Sequence, residues 1–264
     1  MVLRLATWNT KQGVAPRKKT PQLWEWLHSR VDPDVAVLTE AKIPKGFSPT
    51  GWQTVYRPGG IGPRRQWGTI HASRGPQLVE VSSVQVGGRA VALEFEWPAA
   101  VVVTDVIRDR QRWATLVGIY GITLNRHGES CGHGRYSVPL LLKQLAPLFE
   151  SDRADRIIVA GDFNMWPCDV PREFNTLGLV DLIADTAHTR PALANCSGCD
   201  LGHGCGHLWT HRNGTSPNAA VQQIDYIFAT AELRSEVSRV YGGVGDFPEA
   251  WDVSDHAPVV AEFF

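Results

Sequence analysis

The sequence predicts an α/β fold in one domain, with two β-sheets and helices on their outer faces. Three observations carry this. Short apolar runs rich in β-branched residues recur along the whole chain and outnumber the helical stripes. Only two stretches, 20–31 and 137–149, show apolar residues at helical spacing. No repeat, low-complexity tract or linker interrupts the 264 residues, so a single domain over 1–264 is expected.

Val2 to Trp8 alternates as a strand and ends on Asn9. A basic, acid-free loop follows, with Lys11, Arg17, Lys18 and Lys19. Thr20-Pro21 suits an N-cap and first helical position, and Leu23, Leu27 and Val31 form one stripe. Asp32-Pro33-Asp34 ends that helix, and the buried strand Val35–Leu38 runs into Thr39-Glu40. Four arginines and no acid lie between Arg57 and Arg74, Arg64 and Arg65 among them. Strands are predicted at 68–73, 90–97, 100–106 and 113–120, the last ending on Tyr120. Ser137-Val138-Pro139 opens a helix carrying Leu141, Leu142, Leu145, Leu148 and Phe149. The central strand, Ile157–Ala160, stops at Gly161 and delivers Asp162 and Asn164, which alternation along an extended chain would point the same way. Residues 187–222 are polar, Gly-rich and Cys/His-rich, an insertion long enough to expect a function for it. Strands at 223–228, 237–241 and 257–264 complete the chain.

Composition excludes some classes. The formal net charge of −1 gives no global attraction to nucleic acid or anionic lipid. No apolar run is long enough to span a bilayer, and Met1–Asn9 reads as a strand rather than a signal peptide. Five cysteines, three of them between 196 and 205, are unlike a distributed disulfide framework. A cytoplasmic protein is expected.

Polar groups stand at the ends of five strands: Asn9, Glu40, Asp162 with Asn164, Asp225, and Asp255-His256. Taken singly, each is an ordinary turn former or cap. Together they would make one acidic pocket with a histidine at its edge. Oxygen ligands of this kind suit a hard divalent cation, and a carboxylate beside a histidine suits a water attacking a phosphate ester.

Thr7-Trp8-Asn9, Leu38-Thr39-Glu40, Ala160-Gly161-Asp162-Phe163-Asn164, Gln223-Ile224-Asp225-Tyr226-Ile227 and Ser254-Asp255-His256-Ala257-Pro258-Val259 resemble, in order, the motifs of the endonuclease/exonuclease/phosphatase (deoxyribonuclease I-like) superfamily. The resemblance implies a four-layer α/β/β/α sandwich of two mixed sheets with outer helices. It implies Mg²⁺ or Mn²⁺ held by Glu40, with Asn9 nearby and Asp255 as a further ligand. Asp162 would orient or deprotonate the attacking water, Asn164 would hold a phosphate oxygen, and His256 would contact the scissile phosphate with Asp225 fixing its tautomer. Tyr120 resembles a phosphate-side tyrosine of the exonuclease III branch. Lys11 stands where that branch often carries an acid, and so removes a possible ligand and offers a phosphate contact.

Cys196, Cys199, His203, Cys205 and His207 carry the ligand types and turn glycines of a structural Zn²⁺ knuckle; reduced thiols or a disulfide are the alternative. Trp209 follows the cluster and resembles an aromatic near the substrate cleft, where it could stack on a base. The expected function is metal-dependent phosphodiester hydrolysis by a nuclease, with DNA favoured as substrate over RNA. Its basic loops, with Lys11, Arg64 and Arg65, would contact phosphate. The alternatives are a phosphatase or phosphodiesterase for a small phosphorylated molecule or lipid headgroup, and a non-catalytic binding module. No membrane segment and no protein partner is implied.

Overall fold

The computed structural model describes residues 2–11, 20–57, 67–124, 136–170, 172–189, 206–214, 216 and 219–264. The strands in chain order are β1 Leu3–Asn9, β2 Val35–Ala41, β3 Gln53–Tyr56, β4 Gly68–Ser73, β5 Gln77–Glu80, β6 Ser83–Val86, β7 Arg89–Ala92 and β8 Val101–Arg108. There follow β9 Gln111–Tyr120, β10 Ile157–Asp162, β11 Leu179–Asp181, β12 His211–Arg212, β13 Val221–Gln222, β14 Asp225–Thr230, β15 Val237–Gly242 and β16 Val259–Phe263.

Two six-stranded mixed sheets form, ordered β15-β16-β1-β2-β4-β3 and β11-β14-β10-β9-β8-β5. Their facing sides supply one core: Leu3, Leu5, Val35, Val37 and Phe263 from the first meet Leu116, Ile158, Ala160 and Ile227 from the second. On the outer side of the first sheet, Ala6, Trp8, Ala36 and Leu38 pack against Leu23, Trp24, Leu27 and Val31. Those four residues belong to the helix Thr20–Trp26 and its π-helical continuation Leu27–Val31. On the outer side of the second, Val101, Val117, Ile119 and Val159 meet Leu141, Leu142, Leu145 and Leu148. The predicted helical stripes are therefore the outer layers, and the architecture is the four-layer sandwich. Central strands such as β1, β2 and β10 are buried along almost their whole length because both faces are covered, and their polar residues gather towards one end.

Two local expectations change. The strand expected at 90–97 is only β7, Arg89–Ala92, paired with β6 as a hairpin. Its outward residues are exposed, and no third strand extends the ladder. Asp162 and Asn164 do converge, but not by alternation. β10 ends at Asp162, and Asn164 lies at φ 52°, so a tight turn folds it back. Asp32, also left-handed at φ 50°, caps the first helix with its N–H on the Leu27 carbonyl.

Candidate active site

Strand register brings the functional residues to one rim. Asp162 is paired with Tyr120 on one side and Asp225 on the other, so β9, β10 and β14 end side by side. In the other sheet Asn9 is level with Thr39, which places Glu40 at the same end. A bulge in β2 between Leu38 and Ala41 contains Glu40, whose φ is 46°. Such bulges re-aim side chains. Asp255 and His256 lie on the approach to β16. The Trp8 indole donates to the His256 carbonyl at 2.9 Å, and the Ser254 hydroxyl donates to the Asn9 carbonyl at 2.8 Å.

At this rim, three side-chain hydrogen bonds cross from one sheet to the other. Asn9 Nδ2 donates to Asp162 Oδ2 at 2.8 Å, the Tyr120 hydroxyl donates to Glu40 Oε1 at 3.0 Å, and His256 Nδ1 lies 2.8 Å from Asp225 Oδ2. The expected constellation of Asn9, Glu40, Tyr120, Asp162, Asn164, Asp225 and His256 is thus assembled at the seam between the sheets. Asp162 accepts from the Asn164 backbone N–H at 2.8 Å on Oδ1 and from Asn164 Nδ2 at 3.2 Å on Oδ2. Asn164 Nδ2 also reaches the Gly121 carbonyl at 2.8 Å.

The electrostatics follow from burial. Asp162 is 1% exposed, and desolvation pushes its carboxyl up to about 8, against the pull of the His256 imidazolium and the Asn9 donor. Burial also works against a charged His256, but the Asp225 and Asp162 carboxylates outweigh it and raise the imidazole to about 9. Asp225 accepts from Nδ1, so the second proton of the imidazolium sits on Nε2. Nε2 is 3.9 Å from Asp162 Oδ2, beyond a hydrogen bond. That proton is therefore available to a third oxygen brought between them.

Asp255 sits beside this group on a different partner. Lys11 Nζ lies 2.5 Å from its Oδ2. Burial disfavours the Asp255 carboxylate, yet the His256 charge and then Lys11 hold it below the ordinary range.

One residue of the rim was not anticipated. His211, on β12, packs against His256 with ring centroids 4.4 Å apart and the rings tilted by 42°, and its Nε2 is 3.9 Å from Asp255 Oδ2. Gln222 Nε2 is 2.8 Å from His211 Nδ1. Burial and then the His256 charge push His211 down to about 3. It is neutral, with Nδ1 accepting from Gln222 and the proton on Nε2. The only hint in the sequence was its place ahead of Gln223-Ile224-Asp225, and β12 is two residues long, too short to show a period.

Other expected residues lie elsewhere. Trp209 lines a cavity of about 610 Å³ with Leu208, Val240, Tyr241 and Val244, and no residue of the rim above lines it. Arg64 and Arg65, the Lys and Arg residues of the first basic loop beyond Lys11, and Cys196, Cys199, His203 and Cys205 of the Zn²⁺ knuckle fall outside the described residues. Of that knuckle only His207 is described, in the wall of the same cavity. Arg57 and Arg74 are engaged within the fold: Arg57 pairs with Glu80 at 3.2 Å, and Arg74 pairs with Asp32 and stacks over Trp52. No helix of the described residues is long and apolar enough to cross a membrane.

A divalent ion has two places to consider. Asp162, Asp225 and His256 offer ligand atoms within 4.8 Å of one another. There an ion would displace the His256–Asp225 bond and compete with the three N–H groups on Asp162. The Glu40 carboxylate, half-buried on its bulge and held through one oxygen by Tyr120, fits an oxygen-liganded cation without such losses.

Residues 6–256 match the sequence profile of the Endonuclease/Exonuclease/phosphatase family. No curated protein matches the sequence. Among solved structures, the fold is similar to the 3′ phosphatase NExo from Neisseria bound to a product DNA hairpin, at 18% identity and TM-score 0.61, covering 99% of both chains. An AP endonuclease from Archaeoglobus fulgidus is similar at 17% identity and TM-score 0.62, again over 99% of both chains. TDP2 from C. elegans aligns at 13% identity and TM-score 0.63, over 100% of this chain and 75% of that one.

Proposed function

This chain belongs to the Endonuclease/Exonuclease/phosphatase family, whose members hydrolyse phosphate esters, and we propose that it is a Mg²⁺- or Mn²⁺-dependent nuclease. The observation that carries the reading is the pair formed by buried Asp162 and the Asp225-held His256, whose facing atoms are 3.9 Å apart. A phosphoryl group entering this rim meets a base on one side and an N–H donor on the other.

Asp162 is gripped by Asn9 and Asn164, so its carboxylate is oriented before substrate arrives. With the carboxyl raised to about 8, its ionised form is a stronger base than an ordinary carboxylate and takes the proton of an attacking water. The new bond forms between that water oxygen and phosphorus, and the bond from phosphorus to the leaving oxygen breaks. His256, kept charged by Asp225, donates from Nε2 to a phosphoryl oxygen and stabilises the charge that accumulates there. Asn164 contributes its amide to the same side. A divalent ion bound at Glu40, with the Asn9 carboxamide on the neighbouring strand end, would supply Lewis-acid stabilisation of the phosphoryl oxygens.

The polymer preference rests on the similarity to a DNA 3′ phosphatase and an AP endonuclease, and on the acid-free composition of the two basic loops. DNA is the favoured substrate. A small phosphate ester is the second reading, favoured by the internal pairing of Arg57 and Arg74, which takes two of the expected phosphate contacts away. The reading also includes a cytoplasmic setting, from the cysteine usage.

The test is cleavage of linear and circular DNA, RNA and small phosphate esters with Mg²⁺ or Mn²⁺. Asp162→Ala and His256→Ala should each lower DNA cleavage by at least a thousandfold, with circular dichroism unchanged. Turnover of small esters alone would move the protein to the second reading, and near-normal cleavage by either variant would refute the roles given to these residues.

A further inference from the structure

Asp255 has the chemistry of a cation ligand, yet the cation on it belongs to the protein. Lys11 reaches it from the end of β1. The chain there is set in the left-handed region, φ 48°, by the Asn9 carboxamide, whose Oδ1 accepts the Lys11 N–H at 2.9 Å. This turn brings Nζ to 2.5 Å from Asp255 Oδ2, across 244 residues of sequence. The same oxygen faces the Nε2 of His211 at 3.9 Å. Asp255 itself is tied down through its carbonyl, which accepts from the Arg212 N–H at 2.9 Å. A divalent ion on Oδ2 would have to expel the ammonium and would leave it beside a double positive charge. Held where it is, the ammonium neutralises Asp255.

We propose that Lys11 is a built-in cation that occupies Asp255, so that this site takes one divalent ion, at Glu40, and Asp255 is not one of its ligands. The inference rests on the metal-dependent reading above. Lys11 is on this account a positioning residue: it acts through Asp255.

The experiment is a Mn²⁺ titration of the full chain by calorimetry, with free Mn²⁺ counted by electron paramagnetic resonance, and requires no turnover. Wild type should bind one ion. Glu40→Gln should weaken it at least tenfold, and Asp255→Asn should leave its affinity within threefold. Lys11→Met should uncover a second, weaker ion that is lost again in the Lys11→Met/Asp255→Asn double variant. Lys11→Arg should stay at one ion. A tenfold loss in Asp255→Asn, two ions in wild type, or a single ion in Lys11→Met would overturn the assignment while leaving a metal at Glu40 intact. Failure of the metal reading itself looks different: no Mn²⁺ bound, or Glu40→Gln binding like wild type, removes the Glu40 site and the Lys11 assignment with it.

Discussion

Tyr120 shows what a single contact can assign. Its resemblance to a phosphate-side tyrosine implied a phosphate contact, but its hydroxyl spends its proton on Glu40 at 3.0 Å. A donor behind a ligating carboxylate fixes its direction, and losing such a partner typically costs about 10–100-fold in metal affinity. Tyr120→Phe should therefore raise the Kd for Mn²⁺ by about tenfold without unfolding the protein. An unchanged Kd with impaired cleavage would instead place the hydroxyl on substrate. His211 makes the complementary point. Its neutral ring is set by Gln222 and packed against His256, yet it lies in a Gly-rich polar stretch where nothing local distinguishes it.

Among the elements, β9 and β10 show why the central strands leave so little room for change. Gly118 of β9 lies under His71 of β4, and a Cβ there would press into the imidazole and stand 2.8 Å from Thr69 Cγ2. His71 is wholly buried, bonded through Nδ1 to the Thr104 hydroxyl at 2.9 Å, and burial pushes it down to about 3. It is a core histidine, and its neighbours cannot retreat between two sheets. Gly118→Ala should lower the free energy of unfolding by about 1–3 kcal/mol in urea denaturation, the usual cost of overpacking. A neutral result would mean that the inter-sheet layer can relax. β1 was legible as a strand from its alternation, and β2, β9, β10, β14 and β16 from their short apolar runs. The hairpin of β6 and β7 was not, because a mostly exposed hairpin has no strong pattern.

At the level of the whole molecule, the buried titratable groups pull stability in opposite directions on either side of neutrality. His256 is raised to about 9 and Asp162 to about 8, so the folded state holds protons that the unfolded chain releases. Their contribution is present below pH 6.5 for His256 and below about 4 for Asp162, and it is lost as pH rises through the folded values. His71 and His211, both pushed down to about 3, act the other way: the unfolded chain takes up protons below about pH 6.5 that the folded one refuses. The melting temperature should be highest near pH 6.5 and decline towards both pH 9 and pH 4. A melting temperature unchanged between pH 6.5 and 9 would contradict the raised value of His256.

The sequence alone determined the layered architecture, because apolar periodicity is a local record of which faces are covered. It also determined the inventory of the rim, since Asn9, Glu40, Asp162, Asn164, Asp225, Asp255 and His256 each stand at or beside an end of a run that reads as a strand. Tertiary structure decided what those groups do to one another. That Asn9 grips Asp162, that Tyr120 serves Glu40 and that Lys11 takes Asp255 depends on distances between residues up to 244 positions apart. Hydrogen bonds and charge pairs act over a few ångströms, and no pattern along the chain carries that information until two sheets stack and their ends meet.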